Sequence, residues 1–226
     1  MILGIDSSAI SAGCALVDGG KIVAEEFLNT RHTHSETLLP MVSGMLKKAG
    51  FSLADVERVA VTSGPGSFTG LRIGIAAVKG LCMGVKKPCV GVSTLEAIAY
   101  NFIGIDGIIC ACMDARCKQV YNAIFSSENG IITRLCEDRA ITLEELSAEL
   151  SDRYSESGKI ILAGDGAELT DKFTEGKFTL APPALRFQRG SGVCFAAEKY
   201  EDIKPEALMP TYLRLPQAER ERLARN

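Results

Sequence analysis

Short apolar runs separated by glycine and aspartate turns open the chain, and this pattern predicts β-strands joined by tight connections. Apolar residues then recur at helical spacing between residues 35 and 48. This helix has a capping pair at Thr33 and Glu36 and a terminal glycine at Gly50. The pattern predicts a three-stranded meander followed by an amphipathic helix. The three strands are predicted at residues 2–6, 12–17 and 21–27.

The next stretch alternates strands with helices and contains a glycine-rich loop at residues 64–70, with the sequence GPGSFTG. An apolar helix is predicted directly after the loop. A further helix begins at Ser93, which has capping spacing with Glu96. The predicted strands of this stretch lie at residues 58–62 and 89–92, and its predicted apolar helix lies at residues 71–84.

The second half repeats this order from about residue 108. Asp6 and Asp114 each end a first strand, and Gly64 and Gly164 each begin the loop after a fourth strand. The predicted strands of the repeat lie at residues 109–114, 119–125, 131–136 and 160–163, and its helix is capped by Thr142 and Glu145.

A duplicated β-β-β-α-β-α unit predicts an α/β protein of two similar lobes with a cleft between them. This is the architecture of the actin-like ATPase fold (ASKHA, ribonuclease H-like). The predicted N-terminal lobe, with partner-binding helices, covers residues 1–104, and the predicted C-terminal lobe covers residues 105–226. A simple doubly wound sheet is the alternative, but it would not begin with a meander.

Composition narrows the class of protein further. The 226 residues are 46% hydrophobic, which is enough to form buried cores. The first residues form a predicted buried strand rather than an export signal, and the longest apolar stretch, residues 73–85, is shorter than the roughly 20 residues of a membrane span. We therefore expect a cytoplasmic protein without a membrane segment.

Charge and cysteine content argue against direct nucleic-acid binding and against a zinc site. The formal net charge is −3 and no dense lysine or arginine block is present, so if RNA is involved we expect another protein to hold it. The eight cysteines contain no C-x-x-C pair. Cys110 and Cys112 should share one face of a strand and pack in the core as reduced thiols.

The two histidines, His32 and His34, give no support for hydrolytic or metal chemistry. Their spacing does not place both rings on one helical face, and no nucleophile can be paired with them from the sequence. We therefore predict no catalytic residue and no metal site in this chain.

Four polar residues are candidates for cofactor binding. Asp6, Ser7 and Ser8 end the first strand, where actin-like folds hold a metal and nucleotide phosphates, and Asp114 is their counterpart in the second lobe. The alternative is that the first three residues only cap a strand end and that Asp114 pairs with Arg116. The glycine loop resembles a phosphate loop but lacks its lysine, so we expect a rigid turn that plugs a surface.

The helix at residues 71–84 is apolar around most of its circumference, with Arg72 and Lys79 on one narrow side. Small residues along it would let another helix approach closely. Together with the helix at residues 35–48, it predicts an interface with another chain; burial within its own lobe is the alternative. The predicted interface residues are Leu38, Leu39, Val42, Met45, Leu46, Leu71, Ile75, Val78 and Leu81.

Five motifs spread over the whole chain resemble the bacterial TsaB (YeaZ) family. They are Ile5-Asp6-Ser7-Ser8, the helix entry His34-Ser35-Glu36 with Leu39-Pro40, the GPGSFTGLRIG segment at residues 64–74, Met113-Asp114-Ala115-Arg116 and Pro210-Thr211-Tyr212-Leu213-Arg214.

The resemblance implies a non-catalytic subunit of the complex that transfers a threonylcarbamoyl group to N6 of the adenosine next to the tRNA anticodon. It implies a heterodimer with TsaD, with TsaE and TsaC as further partners, and a homodimer when the chain is alone. ATP or ADP and a metal would bind the partner subunits, and the isolated chain would need no cofactor. TsaD carries two metal-binding histidines at positions that correspond to Thr94 and Ile98 here.

Two other functions compete with this one. The first is an autonomous ATP-dependent phosphotransferase or ATPase that uses Asp6 and Asp114 around magnesium in the cleft. The second is a metallohydrolase, which Thr94 and Ile98 do not favour because neither side chain can act as an imidazole ligand.

Overall fold

The computed structural model describes residues 1–30, 32–154 and 158–214, and these residues form two mixed β-sheets with helices on both faces. The N-terminal sheet has five strands in the order β3-β2-β1-β4-β5. The meander β1-β2-β3 is antiparallel, and β1, β4 and β5 run parallel. The strands are β1 (Ile2–Asp6), β2 (Ala12–Asp18), β3 (Lys21–Leu28), β4 (Arg58–Gly64) and β5 (Cys89–Ser93).

The second sheet repeats this topology. Its order, β8-β7-β6-β10-β11, again combines an antiparallel meander with parallel strands, and β9 adds a further antiparallel pairing to β7. The strands are β6 (Gly107–Arg116), β7 (Gln119–Glu128), β8 (Ile131–Arg134), β9 (Arg139–Thr142), β10 (Ile160–Ala163) and β11 (Thr179–Leu180). The duplicated architecture of the actin-like ATPase fold is therefore confirmed.

Seven α-helices cover the faces of the two sheets within the described residues. They are α1 (His34–Ala49), α2 (Phe68–Val85), α3 (Thr94–Ala99), α4 (Leu143–Tyr154), α5 (Ala167–Phe173), α6 (Pro183–Arg186) and α7 (Gly190–Ala197). Helices α1 and α2 share one hydrophobic core with the first sheet, and α4 shares another with the second sheet. Helix α3 contacts both sheets, because Ala97 packs with β5 while Leu95 and Ile98 pack with β6.

The local signals for helix ends gave mixed results. Gly50 ends α1 in a left-handed conformation as predicted, and Thr142 and Glu145 form the reciprocal capping box of α4. The capping box predicted at the start of α1 is wrong, since the Glu36 amide bonds the Thr33 carbonyl and the Thr33 side chain makes no capping bond. Ser93 caps α3 through its hydroxyl.

Glu96 of α3 connects elements that are far apart in the sequence. Its buried carboxylate accepts hydrogen bonds from Arg134 at the end of β8 at 3.3 Å and from the Tyr200 hydroxyl at 2.5 Å, with the Lys199 ammonium at 3.7 Å. Hydrogen bonds and ion pairs of this kind offset the cost of burying a carboxylate. Glu96 therefore fixes the helix between the two sheets.

The C-terminal segment returns to the first sheet, and this alters the predicted division of the chain. Helix α7 packs against β1, where the Cys194 thiol lies 3.5 Å from the Ile2 carbonyl oxygen. Further along, Ile203 pairs with Cys89 and Leu208 is buried in the core of α1 and α2. Helix α7, Ile203 and Leu208 thus pack with the N-terminal lobe, although the prediction placed them in the C-terminal lobe.

Helix α2 is long and apolar enough to span a membrane by length and composition alone, with one third of its 18-residue window buried. Its inner side packs on the first sheet, as the burial of Leu71, Ile75 and Val78 shows. The same length and composition are found in core helices of globular domains.

Candidate functional site

A cleft with a volume of about 450 Å³ lies where the first strands of the two lobes end. Its walls come from the turn after β1, the glycine loop, the end of β6 and the loop after β10. The lining residues are Ser8, Ala9, Ile10, Gly66, Ser67, Phe68, Met113, Asp114, Ala115, Arg116, Tyr121 and Asp165. Of the four predicted cofactor-binding residues, Ser8 and Asp114 line this cleft.

Asp6 does not reach the cleft, because it is fully buried beneath the turn that follows β1. One carboxylate oxygen accepts hydrogen bonds from the hydroxyls of Ser8 at 2.7 Å and Thr62 at 2.8 Å, and the other has no partner within the described residues. Burial raises the pKa of Asp6, although the bonds from Ser8 and Thr62 act in the opposite direction. The side chain therefore fastens the turn to β4.

The glycine loop fills the space next to Ser7 and Ser8. The Ser67 amide donates to the Ser8 carbonyl at 2.7 Å, and the Ser7 hydroxyl donates to the Gly70 carbonyl at 2.9 Å. A Cβ atom added to Gly70 would lie 2.1 Å from the Ser7 carbonyl oxygen. Glycine is required at this contact because any side chain would collide with backbone.

These contacts bear on whether a nucleotide fits the first lobe. A phosphate would need free amides at the start of α2 and hydroxyls that face the cleft. Here the Ser67 amide is bonded to Ser8, Ser7 is buried against α2, and Asp6 is enclosed. The residues present do not fit a nucleotide phosphate at this position, so the assignment of Asp6 and Ser7 as ligand contacts is corrected.

The second lobe contributes two carboxylates. Asp114 accepts the Arg116 amide at 2.7 Å, and the Arg116 guanidinium lies 3.6 Å away, so the ion pair predicted as the alternative is present. Asp165 follows β10 and was not singled out as a site residue. Burial raises the pKa of Asp165 to about 6, the Gln188 hydrogen bond opposes this shift, and the neighbouring Asp114 and Asp6 carboxylates reinforce it.

The described residues contain no group of three or more His, Cys, Asp or Glu side chains arranged to hold a metal ion. His34 donates through Nε2 to the Ala9 carbonyl at 2.7 Å. Cys110 and Cys112 are fully buried on one face of β6 with their sulfur atoms 3.4 Å apart, so their predicted core packing is confirmed.

The predicted interface on α1 and α2 requires a larger correction. Seven of its nine residues are buried, six of them in the core that the two helices share with the first sheet, so they offer no surface to a partner. Leu39 is exposed and Leu81 is half-buried. The buried residues are Leu38, Val42, Met45, Leu46, Leu71, Ile75 and Val78. The apolar pattern predicted both helices correctly, but most of its residues pack inside the first lobe.

One strip of exposed and half-buried residues on these helices, which we call the outer face, consists mostly of small residues. It comprises Leu39, Ser43 and Gly44 of α1 and Ile73, Ala76, Ala77, Gly80, Leu81 and Gly84 of α2. A Cβ atom added to Gly44, Gly80 or Gly84 would meet nothing within 4 Å. Beside it lies a groove of about 470 Å³ with Leu39, Leu81, Phe51 and Leu53 in its walls. Small residues allow the backbone of another helix to approach closely.

The polar side of α2 is covered by the returning C-terminal segment. The Arg72 Nε atom donates to the Tyr212 hydroxyl at 3.0 Å, and the Lys79 ammonium donates to the Glu206 carbonyl at 3.3 Å. Sequence reasoning placed Arg72 and Lys79 together on one narrow side, and the structure confirms that both meet the same segment. The contact residues on the segment were missed because they lie more than a hundred positions away.

Comparison with known proteins supports one family. Residues 21–211 match the family described as TsaD, tRNA N6-adenosine threonylcarbamoyltransferase. The tRNA threonylcarbamoyladenosine biosynthesis protein TsaB of Bacillus subtilis is 30% identical over 222 residues, which cover 96% of each chain. TsaB of Escherichia coli is 35% identical over 167 residues, which cover 73% of this chain and 71% of that protein.

A solved structure agrees with these relatives. It is a Pseudomonas aeruginosa protein described as similar to the peptidase YeaZ, with 25% identity and a TM-score of 0.78, and the match covers 94% of this chain and 99% of that one. The duplicated lobes and the cleft between them define a protein of the actin-like ATPase fold. Within that class, the chain belongs to the TsaB (YeaZ) family.

Proposed function

We propose that this chain is a non-catalytic subunit of the complex that transfers a threonylcarbamoyl group to N6 of the adenosine next to the tRNA anticodon. The observation that carries the proposal is the match over 96% of both chains to a protein named for tRNA threonylcarbamoyladenosine biosynthesis. Contact with tRNA would occur through the complex, because the chain has a net charge of −3.

The composition of the cleft supports a role without catalysis. Asp6 is enclosed, and the glycine loop uses the Ser67 and Gly70 amides for hydrogen bonds within the chain, which leaves fewer groups to bind a phosphate. Thr94 and Ile98 stand at the positions where the resemblance implies metal-binding histidines in TsaD, and both are buried. The chemistry would then belong to a partner, which would also bind ATP or ADP and a metal.

The outer face supports a TsaD-type protein as the direct partner. The chain matches the TsaD family over residues 21–211, so partner and chain would present similar helices to each other. Related surfaces pair readily about a twofold or pseudo-twofold axis, and a stable contact buries on the order of 1,000 Å² or more. TsaE and TsaC would join this pair in the cytoplasm. Without TsaD, the same face would pair with a second copy of the chain.

Reconstitution of the complex tests the proposal. tRNA is incubated with TsaC, TsaD, TsaE, threonine, bicarbonate and ATP, with this chain included or omitted, and modified adenosine is measured by nucleoside mass spectrometry. We expect modification only when the chain is present, and a large loss with Leu39→Glu combined with Gly80→Glu. The matched control is Ile131→Glu, at a side chain that is 66% exposed on the other lobe.

Two results would count against the proposal. Full modification without the chain would show that it is not a required subunit. Equal loss from the outer-face variant and the Ile131→Glu control would show that charge on any surface is harmful, and it would remove the case for the outer face.

A further inference from the structure

The last described residues, 210–214, lie beside the cleft and share a small pocket with Gly66, Phe68 and Tyr121, and we call this segment the strap. On the first lobe, the Thr211 amide donates to the Ser63 carbonyl at 2.7 Å. The Tyr212 ring stacks on Phe68, with 4.8 Å between the ring centres and 27° between their planes. The strap is therefore attached to the end of β4 by a backbone hydrogen bond and to the first turn of α2 by an aromatic pair.

The glycine loop is shaped to receive the strap. A Cβ atom on Gly64 would lie 2.2 Å from the Thr211 carbonyl oxygen, and Gly64 has a φ of +136°, which other residues rarely adopt. The Arg72 guanidinium lies 3.8 Å from the centre of the Phe68 ring and also bonds the Tyr212 hydroxyl. Close fit and cation–π contact make this attachment specific.

On the second lobe, the strap ends on the turn that follows β6. The Arg214 guanidinium donates to the Ala115 carbonyl at 3.0 Å. The next three residues of that turn, Arg116 to Lys118, have φ values of +65°, +55° and +56°. Such backbone is strained for side chains other than glycine and persists where the surroundings hold it. Arg214 is therefore the point at which the strap joins the two lobes.

We propose that the strap is a positioning element that couples the turn after β6 to the first turn of α2, and through α2 to the outer face. This inference deepens the proposed function, since it makes partner binding depend on Tyr212 and Arg214. Because α2 is one continuous helix packed on the sheet, a displacement at Phe68 and Arg72 would be carried to its opposite side.

Hydrogen exchange of the isolated chain tests the coupling without any partner. We expect Arg214→Gln, which removes the contact with Ala115, to speed amide exchange at the distant residues 66–72 about fivefold, as loss of one hydrogen bond allows. Tyr212→Leu should speed exchange at residues 113–118 by a similar factor. The control is Asp202→Asn on the same C-terminal segment, where Arg58 keeps its bonds to the Tyr200 and Ala197 carbonyls.

Titration with a TsaD-type partner gives the second readout. We expect Arg214→Gln to weaken binding about tenfold, in the range of ordinary coupling between sites, with Arg214→Lys restoring most of the affinity. Affinity is measured well below the melting temperature of each variant, so a lower melting temperature alone would not produce this pattern.

The outcomes separate this inference from the proposed function. If the wild-type chain binds no TsaD-type partner, the proposed function fails, while the exchange experiment still decides whether the strap couples the lobes. If Arg214→Gln speeds exchange only around Ala115, or leaves partner affinity unchanged, the strap is a local attachment and the inference is overturned.

Discussion

The Ser67 amide donates a hydrogen bond to the Ser8 carbonyl oxygen across 2.7 Å, and this contact closes the glycine loop over the turn that follows β1. Ser67 also caps α2, with its hydroxyl accepting the Gly70 amide at 3.3 Å. Amides at the start of a helix are the groups that bind phosphate in nucleotide sites. Two of them are used internally here, which turns a potential anion site into a structural joint.

The joint predicts that alanine substitutions at two glycines of α2 change the free energy of unfolding in opposite directions. Gly70→Ala should lower the free energy of unfolding by about 2 kcal/mol or more, because the new methyl group meets the Ser7 backbone at 2.1 Å. Gly80→Ala should raise it by about 0.5–1 kcal/mol, because its added Cβ is unobstructed and alanine favours helix. Urea unfolding followed by circular dichroism measures both. Equal effects would mean that the loop does not pack on Ser7 as described.

The enclosed Asp6 predicts that the isolated chain does not bind nucleotide through its first lobe. Calorimetric titration with ATP and magnesium should give no saturable heat. Asp6→Ala should instead lower the free energy of unfolding by about 1–3 kcal/mol, because the hydroxyls of Ser8 and Thr62 lose their acceptor. Saturable ATP binding that Asp6→Ala abolishes and the exposed-site variant Asp152→Asn preserves would favour the competing phosphotransferase.

Asp165 predicts an unusual pH dependence of stability. Burial raises the pKa of Asp165 to about 6 from an ordinary value of 3.8, so the folded chain holds this proton more tightly than the unfolded chain does. Its contribution is fully present below pH 4 and is lost as the pH rises through 6. Asp165→Asn should therefore be about 3 kcal/mol more stable than the wild type at pH 8 and equal to it near pH 4.

Chemical unfolding at a series of pH values measures this difference. The control is Asp152→Asn, at an exposed residue of α4, whose free energy of unfolding should equal that of the wild type at every pH. A stability difference for Asp165→Asn that does not change between pH 4 and pH 8 would show that folding does not raise the pKa of Asp165.

Much of the architecture could be predicted because its signals are local. Buried strands such as β1 and β10 are continuous apolar runs, and the hairpins carry glycine turns, so the duplication is visible as a repeated order of residues. Strand β9 was missed because Arg139–Thr142 has no apolar run of its own and is defined by its pairing with β7. Its register depends on a partner twenty residues away in the chain.

The candidate site was less predictable because its properties depend on distant contacts. Asp6 was placed correctly at the end of β1, but its burial comes from a loop about sixty residues later. The helical arrangement of α2 shows which of its residues are apolar. It does not show which surface covers them. Leu208 and the sheet cover most of them, and this could not be read from one helix alone.

Two adjacent residues of α2 give the sharpest test of which side of the helix faces the core and which side faces a partner. Ile75 is 5% exposed and faces the core, whereas Ala76 belongs to the outer face. Ile75→Asp should unfold the chain, since a buried unpaired charge costs more than about 4 kcal/mol. Ala76→Asp should cost less than about 1 kcal/mol and should convert the expected homodimer into a monomer, because it places a charge at the centre of the contact. Sedimentation velocity with circular dichroism measures both. A folded Ala76→Asp variant that stays dimeric would move the contact away from the outer face.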